Sequence, residues 1–460
     1  MRILHTADWH LGKTLEGRSR QDEFEAMVDE MAAIVREEAV DVVLLAGDVF
    51  DAPNPTAWAE ALFFEALARL SEDGRLVVVI AGNHDQPERL AAARPLIVGS
   101  PRRILLIGPL DADGAAAGEP DAGAGAAAAG GRPAARREAG RERQSGLDES
   151  AGRAETERFR PLSLVVPRTG ERLVVAALPF PSERRLGTLF SADPAAEAMQ
   201  DAYDRRVRAL LQGMAGAFRP DAVNVVLTHL FVAGGETSDS EQPIQLGGAY
   251  TVRPESFPVA HYVALGHLHR PQWVAGAPAP VRYAGAPLQL GFSEAGFAKS
   301  ATVLELRPGA PVPAPEGRPG AGGGQVKEVF LSSGRPLVRW RAEGGLAPVW
   351  RRIERGDDPT AWIELELALP SGADLPGEEE IRRLRAARPG IVGIRFAIAP
   401  VGPAAGAVRL RELPWDERFR RFYREKTGAE PGEELVKLFL AYLNELETEE
   451  DGDAAASAGI

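Results

Sequence analysis

At 460 residues, with a formal charge of −13 and no cysteine, the chain has room for about two or three domains. Zero cysteine excludes a disulfide scaffold, thiolate zinc sites and cysteine catalysis, and is compatible with a reducing cytoplasm. Taken whole, the negative balance argues against a nucleic-acid partner.

Met1 to Thr6 runs straight into a strand-like segment with no secretory apolar core. No stretch approaches the roughly 18 apolar residues of a membrane span, so a cytoplasmic chain without membrane contact is expected. Ile3–Thr6 reads as a strand, and Phe24, Met27, Val28, Met31, Ile34 and Val35 recur at helical spacing. Asp41–Ala46 is a near-continuous apolar run, as in a strand buried on both faces. A helix around Trp58–Leu70 and a strand at Leu76–Ile80 follow. This alternation predicts an α/β layer structure with its chemistry on loops leaving the carboxyl ends of strands. Residues 111–160 are poor in large apolar side chains and read as a disordered insertion. Strands resume at Leu173–Leu178, Val223–Thr228, Tyr262–Leu265, Val281–Ala284 and Thr302–Leu306. The expected organisation is a first domain over 1–307, a Pro/Gly linker over 308–325 and a small α+β domain over 326–410. Within the last, Trp362–Leu369, Glu378–Ala387 and Ile391–Ala399 make a β-α-β unit. A helix pair over 411–448 and an acidic tail over 449–460 close the chain.

Five of the seven histidines sit in short polar clusters that follow apolar runs. The clusters are Asp8-Trp9-His10, Gly47-Asp48-Val49-Phe50-Asp51, Gly82-Asn83-His84-Asp85, Thr228-His229 and Gly266-His267-Leu268-His269. A single such cluster would pass for a solvated loop; five at strand exits make coincidence about a one-in-twenty reading. Carboxylate, imidazole and amide groups suit divalent transition metals, and without thiolates an open catalytic site is the better fit. His5 and His261 lie outside the pattern and read as a locally satisfied strand histidine and a loop residue.

In order and character these clusters resemble the motifs of the calcineurin-like metallophosphoesterases: D-x-H, G-D-x-x-D, G-N-H-D, H and G-H-x-H. Ala7–Leu15, Val263–Gln272 and Phe419–Leu446 are further similar to the bacterial SbcD family of nuclease subunits. The resemblance implies a four-layer β-sandwich flanked by helices, with a capping domain and a C-terminal helix pair. It implies two divalent ions, manganese foremost: one on Asp8, His10 and His269, the other on Asn83, His229 and His267, with Asp48 bridging. His84 is then free to protonate or stabilise the leaving oxygen, and Asp85 to orient His84. Two ions about 3.5–4 Å apart would share a hydroxide and clamp a phosphate for in-line attack. Archaeal and eukaryotic break-repair relatives carry a histidine shortly after the bridging aspartate, where this chain has Asp51. Asp51 then either orients a ligand or caps its loop, with equal weight. The implied activity is 3′→5′ exonuclease action on duplex ends and endonuclease action on single strands or hairpins. The implied partners are DNA and an SbcC-like coiled-coil ATPase, in a heterotetramer with two copies of each protein, the nuclease domains forming a homodimer.

Ala7–Thr14 also nearly spells a P-loop, and Val42–Asp48 could pass for its magnesium-binding strand. That rival lacks the first glycine and leaves Asn83, His84, His229, His267 and His269 unexplained. A non-catalytic scaffold would need a damaged site, and no ligand position is missing. A phosphatase or small-nucleotide phosphodiesterase on the same ions is the serious runner-up, disfavoured only by the long C-terminal half.

Lys13, Arg18 and Arg20 are candidates for DNA phosphate contacts, at even odds with plain solvation. The segments 335–355 and 382–424 carry net charges of +4 and +8. They read equally as solvated arginine-rich surface or as a cap holding duplex DNA through residues such as Arg351 and Arg352. Trp340 and Trp350 fit core packing better than base stacking. The aromatic stripes of the last helix pair, with Phe419, Tyr423, Leu435, Phe439, Tyr442 and Leu443, suit docking on the ATPase partner, with packing on the chain's own cap as the alternative.

Overall fold

The computed structural model describes residues 1–97, 100, 102–108, 160–182, 196–238, 241, 250–309, 325–369, 375–398, 415–427, 430–433, 435–437 and 439. The expectations for the body of the 111–160 insertion, the linker and the acidic tail lie outside these residues, as do Tyr442 and Leu443.

Two six-stranded sheets form the core of the larger unit, Met1–Leu367 with Pro376–Phe396. In the first sheet, Arg2–Thr6, Val42–Ala46, Leu76–Ile80 and Arg103–Ile107 run parallel. Ser300–Glu305 pairs antiparallel with Arg2–Thr6 at its other side. In the second sheet, Arg172–Leu178, Ala222–His229, Tyr262–Gly266 and Val281–Tyr283 run parallel, with Leu162–Val165 and Gln272–Trp273 antiparallel at the edges.

Alternation along the strands explains the layers. Val42, Leu44 and Ala46 face a core shared with Val223, Val225 and Leu227 of the second sheet. Val43 and Leu45 face the opposite way, onto Phe24, Met27 and Met31 of helix Gln21–Glu37 and Phe63 and Leu67 of helix Ala57–Leu70. The second sheet covers its other face with Tyr203, Val207 and Leu211 of helix Ala196–Ala215. Strands with period-two side chains that are apolar on both faces require this helix–sheet–sheet–helix stack. The expected α/β four-layer sandwich is the observed one.

One boundary is corrected. Gln325–Phe330, expected to open the capping domain, pairs antiparallel with Ser300–Glu305 and extends the first sheet. Its Val326 packs on the inter-sheet core. The cap proper is a three-stranded sheet of Leu337–Glu343, Trp362–Leu369 and Ile391–Ile398 with the middle strand central. Helices Ala347–Arg355 and Glu378–Ala387 accompany it. Trp340 is buried in its core beside Val349 and Leu365, as a packing residue.

Helix Trp415–Thr427 belongs to a second unit, Ala368–Leu375 with Ala397–Ile460. Within it Phe419 stacks on Phe439 with centroids 4.2 Å apart, and Tyr423 lies 6.0 Å from Phe419. Arg420 pairs with Glu433 at 2.8 Å. Leu435 stands exposed.

Candidate metal centre

The loops leaving the parallel strands of both sheets meet at one place. Asp8 N, His10 N and Leu11 N donate to Gly47 O, Asp48 O and Val49 O at 3.0, 3.0 and 2.9 Å. This zips the first two loops together, and the buried Trp9 anchors them by donating to Thr6 Oγ1. Asp8, His10, Asp48 and His267 all have positive φ, at 54°, 47°, 49° and 110°. Such backbone costs about 1–3 kcal/mol per residue and persists only where the surroundings hold it. Two glycines set the closeness of approach. A Cβ on Gly82 would lie 2.1 Å from Asp48 Oδ1, and one on Gly266 would lie 1.9 Å from Ala46 O across the sheets.

The residues marked from the sequence converge. Asp8, His10 and His269 form one group able to grip a common ion, and Asp8, Asp48 and His229 another. Asn83 Oδ1 lies 2.8 Å from His229 Nε2 and 3.2 Å from His267 Nδ1. Asp48 Oδ2 is 3.4 Å from His229 Nε2 and 3.6 Å from His10 Nε2, between the two sets. Asp8 Oδ2 and His10 Nε2 are buried with no hydrogen-bond partner among the described residues. Buried polar atoms are almost always satisfied, and oxygen and imidazole donors left in this state fit divalent cations.

The protonation pattern points the same way. Burial, reinforced by Asp48, pushes Asp8 up to about 7 despite the nearby His229 and His269. Burial brings His10 down to about 4 and His267 well below its usual range. Burial opposes charge on His229 too, but Asp48 and Asp8 outweigh it and raise that ring to about 9. The shell is short of positive charge, which cations would supply.

The ligand-type rings have polar neighbours behind them. His229 Nδ1 donates to Ala46 O at 2.8 Å, and His269 Nδ1 lies 3.0 Å from Glu294 Oε1. Asp51 Oδ1 lies 3.3 Å from His10 Nδ1 and 2.9 Å from Lys13 Nζ. Burial would raise the Asp51 carboxyl, but these two partners bring it down to about 2. Asp51 thus stands at ion-pair distance from a ligand-type histidine whose Nδ1 has no hydrogen-bond partner among the described residues.

Two expectations are corrected here. His84 Nδ1 donates to the backbone carbonyl of Asp51 at 2.8 Å, so that carbonyl orients the ring rather than Asp85. The Asp85 carboxylate accepts from Val49 N, Phe50 N and Gly82 N at 3.1, 3.0 and 2.9 Å, tying the Asp48 loop to the Asn83 loop. Arg20 is not a phosphate contact. It is 1% exposed, pairs with Glu23 at 2.7 Å and donates to Gln289 O at 2.6 Å. Its helix-start position placed it inward, beside an acid three residues on.

Lys13 is partly buried and held by Asp51, whereas Arg18 is exposed. Arg351 is exposed on the cap helix, and Arg352 lies over the Trp340 ring at 5.4 Å. Glu294 and Glu241, which accept from His269 Nδ1 and N, were missed from the sequence. Both are single acids in segments without period, so no pattern marks them.

Residues 1–271 match the calcineurin-like phosphoesterase family model, and residues 333–427 match the model described as the type 5 capsule protein repressor C-terminal domain. A curated relative from Bacillus subtilis (strain 168), the SbcD subunit of nuclease SbcCD, is 42% identical over 453 residues, covering 98% of this chain and all of the relative. A second of the same name, from Rhodobacter capsulatus, is 33% identical over 395 residues, covering 85% of this chain and 81% of that one. With its strand-exit motifs drawn together on both sheets and these relatives spanning nearly its whole length, the chain belongs to the calcineurin-like phosphoesterases, in their SbcD family.

Proposed function

We propose that this chain is a DNA nuclease that hydrolyses phosphodiesters with two divalent ions, manganese foremost, as the SbcD component of an SbcCD-type complex. The observation that carries the reading is the convergence of seven ligand-type side chains around buried, unpartnered Asp8 Oδ2 and His10 Nε2. Asp8, His10 and His269 would hold one ion, Asn83, His229 and His267 the other, and Asp48 both. When bound, the ions supply a nucleophile near neutral pH and neutralise charge on the attacked phosphate.

The chain's own residues do the rest. With Nδ1–H donating to the Asp51 carbonyl, His84 turns Nε2 toward the departing oxygen, and the doubly protonated ring would deliver its Nε2 proton there and be left neutral. Asp51 and Glu294 hold the ligand rings of His10 and His269. Asp85 keeps the Asp48 and Asn83 loops in register through three backbone amides.

The actions proposed are 3′→5′ exonuclease on duplex ends and endonuclease on single strands or hairpins. The cap, read as a separate domain, steers duplex DNA with Arg351 and Arg352. The C-terminal aromatic residues dock an SbcC-like ATPase, in a cytoplasmic heterotetramer built on a homodimer of nuclease domains. No helix among the described residues is long and apolar enough to cross a membrane.

The deciding assay incubates labelled duplex and hairpin DNA with the chain, with and without Mn²⁺. Metal-dependent cleavage is expected. Turnover of a nitrophenyl phosphate ester with no cleavage of DNA would assign a small-substrate phosphatase instead.

A further inference from the structure

Behind the ligand-type side chains lies a buried ion pair. Glu294 and Lys299 are 1% and 6% exposed, and Lys299 Nζ stands 2.5 Å from Glu294 Oε2. Replacing such a pair by apolar side chains of similar volume is often neutral or stabilising, so packing alone gives weak reason for it. Its contacts give a stronger one. Glu294 Oε1 lies 3.0 Å from His269 Nδ1, and Lys299 Nζ donates to His269 O at 2.9 Å. Glu294 Oε2 also accepts from Leu290 N at 3.1 Å, which fixes the short turn that carries it. Glu241 Oε1 accepts from His269 N at 2.8 Å. The pair thus grips one residue at ring and carbonyl together, while a second acid takes its amide.

We propose that Glu294, braced by Lys299, is a positioning residue that sets the tautomer and direction of His269 toward its ion, an inference that rests on the metal-centre reading above. A carboxylate on Nδ1–H leaves the ring lone pair on Nε2 and raises its basicity. Lys299 holds the carboxylate in place through the ion pair and pins the backbone through the His269 carbonyl, so the ring can neither flip nor drift.

The test measures Mn²⁺ binding to the full chain by titration calorimetry. The wild type takes up two ions. Glu294→Gln retains one at wild-type affinity and binds the other about 10- to 100-fold more weakly. The double variant Glu294→Gln/Lys299→Met, which leaves no buried charge unpaired, shows the same selective loss with an unchanged far-UV dichroism spectrum. Two ions bound at wild-type affinity by either variant overturn the proposal. A wild type that binds no divalent ion overturns the metal-centre reading itself, a separate result. A readout on the unaltered protein is ¹⁵N-histidine NMR of the Zn²⁺-loaded wild type. His269 bound through Nε2 with Nδ1 protonated is expected, and a metal-bound Nδ1 refutes the proposal without any variant.

Discussion

Glu23 is the place where a single atom change tests how the cap is seated. It is 2% exposed in helix Gln21–Glu37 and accepts from four groups. Arg20 Nε and Nη2 donate at 2.9 and 2.7 Å, Trp362 Nε1 at 2.7 Å and Arg335 N at 2.9 Å. Trp362 belongs to the central cap strand, so the carboxylate joins cap to nuclease core through a buried charge. Glu23→Gln keeps the shape but leaves the 1%-exposed Arg20 without its counter-charge. Removing one partner of a buried pair costs about 3–5 kcal/mol. The amide also offers one acceptor oxygen where the carboxylate offered two, so either Trp362 or the Arg335 amide is underserved. Urea unfolding at pH 7, followed by far-UV dichroism and tryptophan fluorescence, should show a loss in that range. Arg20→Met/Glu23→Leu, removing both charges, should recover most of it. The pH dependence has a fixed sign. Burial opposes the charge, but Arg20, Trp362 and Arg335 bring the Glu23 carboxyl below its ordinary 4.5. Its stabilisation is therefore complete above 4.5 and disappears as pH falls through the lower folded value. A Glu23→Gln loss under about 1 kcal/mol, or a double variant no more stable than the single, would refute the reasoning.

Four further outcomes are expected. His84→Gln should abolish DNA cleavage while calorimetry still finds two Mn²⁺ bound, and retained cleavage would remove His84 from its role. Asp51→Ala keeps the backbone carbonyl that holds His84 but releases His10 and Lys13, so Mn²⁺ affinity should drop about 10- to 100-fold; an unchanged affinity would show that His10 needs no brace. Charge reversal at Arg351 and Arg352 should weaken duplex binding and flatten its dependence on salt by up to about two units of slope in a log–log plot, whereas an unaltered slope would take the cap helix off the DNA. Phe439→Glu with Leu443→Glu should abolish co-purification with an SbcC-like ATPase while cleavage by the isolated chain persists, and a surviving complex would refute docking through this helix pair.

How much of this was legible in the sequence depended on what kind of constraint each residue obeys. Carboxylate, imidazole and amide groups of the kind that suit divalent ions are so distinctive that Asp8, His10, Asp48, Asn83, His229, His267 and His269 stood out without any structure. Strands buried on both faces announced themselves as apolar runs, and their exits gave the loops. The residues behind the ligand-type side chains escaped because their constraint is purely spatial. Any acid at the right distance could hold His269, and Glu294 reaches it across 25 residues of chain. The Asp85 assignment failed for a related reason. Adjacency to His84 suggested a contact, yet the carboxylate serves three backbone amides. Strand Gln325–Phe330 was hidden because its charged, exposed edge position lacks the apolar signature of the inner strands.

Charge shows the difference between a total and a placement. The −13 of the chain includes nine acids against one base after Lys426, and it includes Asp8 and Asp48, which divalent ions would neutralise. Arginines of the cap are spent in different ways: Arg339 and Arg395 both pair with the buried Glu364, Arg335 lies over Trp362, and Arg351 stands exposed. The count therefore overstates the basic surface, just as the total understates it. The stretch Gln289–Glu294 links two tasks. Gln289 accepts from Arg20 and from Leu337 N of the cap, and Phe292 packs with Leu337 and Trp362. Two residues later Glu294 holds His269. Seating the cap and bracing a ligand-type histidine are thus carried by one short stretch, so a change in the first has a direct covalent route to the second.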